Sequence, residues 1–121
     1  MPSTVALGVP PGLVKIAEVV VFQVPVGHEY DVAYLRVCNT DDSEPVPETP
    51  GQGDHFVTVY RYSGAGPGSD VNTSFKLQLV QQHATFEFGP FMVPPGGKLT
   101  VAGDVDDKMT FSVEGQDKTL A

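Results

Sequence analysis

This sequence predicts an all-β fold, a single antiparallel β-sandwich of jelly-roll type with about seven or eight strands. Three observations carry the prediction. A turn cassette occurs twice, as Val24-Pro25-Val26-Gly27 and as Val93-Pro94-Pro95-Gly96-Gly97, and each copy launches a strand-like segment. In both, Pro fixes φ and Gly permits the positive φ of a sharp reversal. The chain holds 13 Gly and 11 Pro among 121 residues, and no window keeps a helical period without meeting one of them. Between the turns, apolar and polar residues alternate as half-buried strands require.

Taken in order, residues 1–12 hold three Pro and two Gly and read as an irregular N-terminal arm, with residues 13–121 as the sandwich domain. Leu13 to Val24 is the first long strand. Glu29 to Asn39 alternates, with Tyr30, Val32, Tyr34, Arg36 and Cys38 on one face and Asp31, Ala33, Leu35, Val37 and Asn39 on the other. Asn39 to Ser43 has turn composition, because short polar side chains bond the local backbone. Glu44 to Asp54 carries three Pro, two Gly and three acids and reads as an exposed loop. His55 to Ser63 sets Phe56, Thr58, Tyr60 and Tyr62 against Val57, Val59 and Arg61. Both faces can be covered, so this strand is expected to be central. Gly64 to Thr73 is a second loop and Phe75 to Val80 a strand. Thr85 to Val93 is another, whose Gly89-Pro90 interruption suits a bulge or an edge. Leu99 to Ala102 and Met109 to Glu114, joined by the acidic turn Gly103 to Asp107, complete the set.

The formal net charge is −8, with seven Lys and Arg against 15 Asp and Glu. Nucleic acid and anionic membrane are disfavoured as partners, since both need clustered positive charge. The longest apolar run, Val19-Val20-Val21-Phe22, is far too short to span a bilayer. Residues 1–12 have neither the basic n-region nor the apolar core of a leader, and the single Cys38 leaves no disulfide framework. The expectation is a soluble chain made inside a cell. With no His close in sequence, Cys38 reads as a buried small hydrophobe rather than a nucleophile.

No motif points to catalysis, and no cofactor is implied. Asp104-Val105-Asp106-Asp107 has the spacing of a calcium corner but lacks the remaining oxygens and the closing Glu of a calcium loop. It reads as a solvated turn. Asp41-Asp42-Ser43-Glu44, with Glu48 and Asp54, reads as a solvated loop, the alternative being a patch for a cation or a basic partner. His28, His55 and His83 lie in separate segments, with no close metal-ligand pair. Gly64-Ala65-Gly66-Pro67-Gly68 lacks the Lys-Ser/Thr and the following helix of a phosphate loop. Tyr30, Tyr34, Tyr60 and Tyr62 share one face within each strand. They read as core with hydroxyls at the rim, the alternative being an aromatic platform for sugar or protein.

The order Val24-Pro25-x-Gly27, Leu35-Arg36-Val37-Cys38-Asn39-Thr40, Val57-Thr58-Val59-Tyr60, Phe91-x-Val93-Pro94-Pro95-Gly96-Gly97-x-Leu99-Thr100-Val101 and Met109-Thr110-Phe111-Ser112-Val113-x-Gly115 resembles the small β-sandwich virion proteins of tailed bacteriophages. The likeness runs from Val24 to Gly115 and lies in strand and turn grammar. It implies a non-enzymatic virion component: a capsid decoration (cement) protein first, a tail or fibre accessory second. The implied partners are the major capsid protein or other virion proteins, and further copies of the chain as a dimer or trimer. Candidate contact residues sit in the arm (Val9, Pro10, Pro11) and in the two long loops (Glu48, Pro50, Gln52 and Asp54; Gly66, Pro67 and Ser69). A carbohydrate- or host-binding module is the competing class. A jelly-roll enzyme would need the three His to converge on a metal.

Overall fold

Both Pro-x-Gly cassettes form the turns expected of them, and the two turns meet. In the computed structural model, which describes residues 4–42, 53–62 and 71–120 (the backbone alone for 71–77), Gly27 and Gly96 adopt φ of 84° and 78°. The His28 amide donates to the Pro25 carbonyl at 3.1 Å and the Gly97 amide to the Pro94 carbonyl at 3.0 Å. The Val24 amide then donates to the Gly97 carbonyl at 2.8 Å, and the Gly96 amide to the Val24 carbonyl at 3.1 Å. Backbone bonding between distant segments thus closes one end of the molecule.

The described residues form ten strands: β1 (Thr4–Ala6), β2 (Gly12–Leu13), β3 (Val19–Gln23), β4 (His28–Asn39), β5 (His55–Tyr62), β6 (Val71–Val80), β7 (Thr85–Phe88), β8 (Phe91–Val93), β9 (Lys98–Gly103) and β10 (Met109–Thr119). One sheet, A, runs β1-β10-β4-β7, with β2 also on β10 and β8 also on β4; the other, B, runs β3-β9-β5-β6. The two antiparallel sheets pack as a jelly-roll-like sandwich. The strand β5 is central, between β9 and β6, as its two coverable faces suggest. At the edge of sheet A, the cis Gly89-Pro90 step divides β7 from β8, both of which pair with β4.

The core is rich in valine, whose branched side chain suits a pleated surface. Val32, Leu35 and Val37 of β4, Val57 and Val59 of β5, Leu99 and Val101 of β9, and Met109 of β10 are each at most 2% exposed.

The structure differs from the sequence reading in four places. Leu13 to Val24 is two strands: Gly12–Leu13 pairs with Thr110 and Phe111 in sheet A, whereas Val19–Gln23 pairs with β9 in sheet B. The chain crosses between the sheets over buried Val14, held by Val14 N–H to the Met109 carbonyl and Gly103 N–H to the Lys15 carbonyl, both 2.8 Å. A strand that switches sheets at a corner keeps one side toward the core, so alternation does not reveal the change. Second, the segment read as an irregular arm carries β1, in which Thr4–Ala6 faces Gln116–Lys118 of β10. Three residues are too few to show a period. Third, β6 starts at Val71, within the segment read as loop, and β10 runs on to Thr119.

The fourth difference has the widest effect. Glu114 pairs with Tyr34 and Gly115 with Val32, so Ala33 is an extra residue on β4. This bulge turns the faces of the strand over. Tyr30 and Val32 face the core before it, and Leu35, Val37 and Asn39 after it. The tyrosines of β4 therefore do not share a face. Tyr30 packs on Phe22 with ring centroids 5.0 Å apart, while Tyr34 lies outside beneath the Arg36 guanidinium, 4.7 Å from its ring. Cys38 follows Arg36 outward. It is half-exposed rather than buried, 3.4 Å from the Thr85 hydroxyl.

Candidate functional site

The most organised polar side chains gather where β4 ends and β5 begins. Asn39, 2% exposed, donates through Nδ2 to the Gly53 carbonyl (2.7 Å) and the Val80 carbonyl (2.9 Å), and accepts from the Asp41 amide at 3.0 Å. The Gln82 side chain donates through Nε2 to the Asp41 carbonyl at 2.9 Å, and the Gln82 backbone N–H donates to Asp54 Oδ1 at 2.8 Å. His55 stands between two carboxylates, with Nε2 2.6 Å from Asp41 Oδ2 and Nδ1 3.0 Å from Asp104 Oδ1. Both ring nitrogens therefore face carboxylates. The group clamps Gly53–His55 to Asn39–Asp41.

The acidic turn is held by the same logic. Asp104 meets His55, Asp106 Oδ1 accepts the Ile16 amide at 2.8 Å, and Asp107 pairs with Lys15 at 2.5 Å. The other histidines have their own acids, His28 with Asp117 at 2.7 Å and His83 with Asp42 at 3.5 Å. Among the described residues, no group of three or more His, Cys, Asp or Glu is placed to hold a metal ion.

The outer faces of the two sheets differ. Sheet A presents charge: Arg36 pairs with Glu87 at 2.5 Å, and Lys118 with Asp31 at 2.5 Å and Glu29 at 4.0 Å. The Lys118 hydrogen bond holds Asp31 below the usual carboxylate range, whereas the hydrogen bond with Asp31 raises Glu29. The two acids therefore pull stability in opposite directions. The contribution of Asp31 is present above its unfolded value and lost as pH falls through its lowered one. That of Glu29 is present below its unfolded value and lost as pH rises through its raised one. Carboxyl 13C titration is expected to show Asp31 inflecting below Glu29, and Lys118→Met to bring Asp31 upward. An open groove of about 680 Å³ crosses this face at the bulge, among Ala33, Pro90, Met92, Glu114 and Gln116.

Sheet B exposes Val20, Phe56 and Leu79, while the hydroxyl residues Thr58 and Thr100 are buried. Val20, Thr100 and Tyr60 lie in one row across β3, β9 and β5, and Phe56 pairs directly with Leu79. The Tyr62 hydroxyl donates to Glu18 at 2.5 Å, which raises the tyrosine pKa, and the Thr100 hydroxyl donates to the same carboxylate. Lys98 lies 4.5 Å over the Tyr62 ring.

Of the contact residues expected from sequence, Val9 leans on the core, while Pro10 and Pro11 are exposed beside it. Asp54 is half-buried and occupied by the Gln82 amide. Glu48, Pro50, Gln52, Gly66, Pro67 and Ser69 lie outside the described residues. Sequence reasoning missed the Asn39 clamp, although a polar residue in step with Leu35 and Val37 was the signal for it. It also missed the pairing of Glu18 with Tyr62, which no local pattern announces.

No protein-family model matches the chain, and no curated protein matches it. Solved structures do. A chain of the T13 particle of infectious bursal disease virus superposes with a TM-score of 0.56 at 9% identity, over 98% of this chain and 31% of that one. A chain from the Gx strain of the virus gives 0.55 at 8% identity, over 99% and 33%. A chain from Bacillus endospore appendages, a family of disulfide-linked pili, gives 0.52 at 15% identity, over 100% and 88%. This chain thus spans about a third of the viral chains it matches. At these identities the likeness is one of fold.

Proposed function

We propose that this chain is a non-enzymatic structural subunit of an assembled extracellular structure, and within that class a phage capsid decoration protein. The observation that carries the reading is that 98% of the chain lays onto one part of a viral-particle chain. The polar groups support it: the described histidines are each tied to acids, and the cluster around Asn39 and His55 binds Gly53–His55 to Asn39–Asp41. A decoration protein that binds the assembled shell and not its dispersed subunits stabilises the shell by mass action. Several copies on one lattice strengthen individually weak contacts through effective concentration. The segment 4–11 suits a bridging role, since all three residues of β1 are exposed and the strand is held by pairing with β10.

A filament subunit is the second reading, favoured by the near-complete coverage of the appendage chain. Cys38 is the single cysteine and supplies one sulfur per copy, whereas continuous disulfide linkage needs two. The shell reading is therefore preferred. Cosedimentation of the purified chain with expanded phage shells, and separately with purified tails, tests it. Saturable binding to shells is expected, and removal of residues 1–11 is expected to weaken it about tenfold or more. Binding to tails alone would move the protein to the tail, and binding to neither would end the virion reading.

A further inference from the structure

We propose that the outer face of sheet B is the contact surface between copies of this chain, which meet face to face about a two-fold axis. The inference rests on the reading of the chain as an assembled subunit and goes further by naming the surface.

Two observations carry it. The first is exposed apolar area on a regular strand surface: Val20 is 53% exposed, Phe56 41% and Leu79 42%. Phe56 and Leu79 are direct cross-strand neighbours, and Val20 lies in the Thr100–Tyr60 row. The second is charge. Copies of a chain with net charge −8 repel unless their contact brings no excess of acid. Sheet A brings Glu29, Asp31, Glu87 and Glu114 against Arg36 and Lys118. Among the described residues of β3, β9 and β5, with Glu18 just before β3, the outer face of sheet B brings Glu18 against Lys98.

That face is self-complementary. Under a two-fold operation each contact occurs twice, so Glu18 of one copy can approach Lys98 of the next in both directions. The same balance disfavours other occupants. Among the described side chains, nucleic acid or anionic lipid would find one lysine, and a basic protein would find more acid on sheet A. A second copy is the occupant that fits a face whose described charges balance and whose exposed side chains include Val20, Phe56 and Leu79.

Sedimentation equilibrium over a concentration series tests this, with Val20→Asp and Phe56→Asp on the face and Met92→Asp, an exposed position on sheet A, as control. A dimer is expected for the wild type. Either face variant is expected to raise its dissociation constant about 100-fold or more, because a buried unpaired carboxylate costs several kcal/mol; the control leaves it unchanged. Isotope-filtered NOEs between labelled and unlabelled wild-type copies need no variant, and should join Val20 methyls to residues of sheet B. A wild-type monomer, NOEs confined to sheet A, or equal disruption by Met92→Asp would each overturn the proposal. Shell binding by a monomeric chain would refute this surface and leave the decoration reading intact. A dimer through sheet B that binds no particle would do the reverse.

Discussion

Gly115→Ala is expected to cost about 3 kcal/mol or more and to leave the protein largely unfolded at moderate temperature. A Cβ at this position would overlap the Asp31 carbonyl oxygen, 2.8 Å from Val32 Cα and 3.0 Å from Ala33 N. All three are backbone atoms of the neighbouring strand, so no side chain can rotate aside. Relief would require β10 to move off β4, which it meets at every position from Met109 to Thr119. Gly27→Ala gives the contrast. There φ is +84° but nothing lies within 4 Å of the new Cβ, and a cost of about 1 kcal/mol is expected from conformation alone. Urea midpoints of the two variants against the wild type measure the difference. A wild-type midpoint for Gly115→Ala would mean that Ala33 is not bulged against β10.

Asn39→Ala is expected to cost about 3–4 kcal/mol. The substitution removes the donor to the Gly53 and Val80 carbonyls and the acceptor of the Asp41 amide. In a site 2% exposed, water does not replace them, and each orphaned group carries a desolvation cost of about 1–3 kcal/mol. Asn39→Asp keeps the acceptor but loses both donors and sets a second carboxylate beside Asp41, so it is expected to be no better. Denaturant unfolding gives the magnitude, and faster hydrogen exchange at the Asp41 amide locates it. Unchanged exchange there would mean that Asn39 does not hold this segment.

What was legible in the sequence was local. Pro25-Val26-Gly27 and Pro94-Pro95-Gly96 specify turns through φ, and the turns formed where those residues stand. The central place of β5 followed from two coverable faces within one run. The Ala33 bulge was hidden because Ala33 fits the alternation of β4 taken alone, and only the register against β10 exposes it. The crossing near Val14 was hidden because a corner keeps its buried side. The Asn39 clamp draws on Gly53, just before β5, and on Val80 and Gln82, at and beyond the end of β6, two segments distant in sequence from Asn39. The contact residues suggested for the loops rested on composition, and of the seven suggested there only Asp54 lies among the described residues.

Ala33 acts on β4 as an inserted letter acts on a reading frame. Upstream of it, even-numbered residues look inward; downstream, odd-numbered ones do. The strand is thus two out-of-phase messages, one ending at Val32 and one beginning at Tyr34. Relatives of this chain are therefore better recognised by that phase break, with a glycine opposite it, than by any alternation running unbroken from His28 to Asn39. An alignment that closes the gap at Ala33 would exchange inside for outside over half the strand.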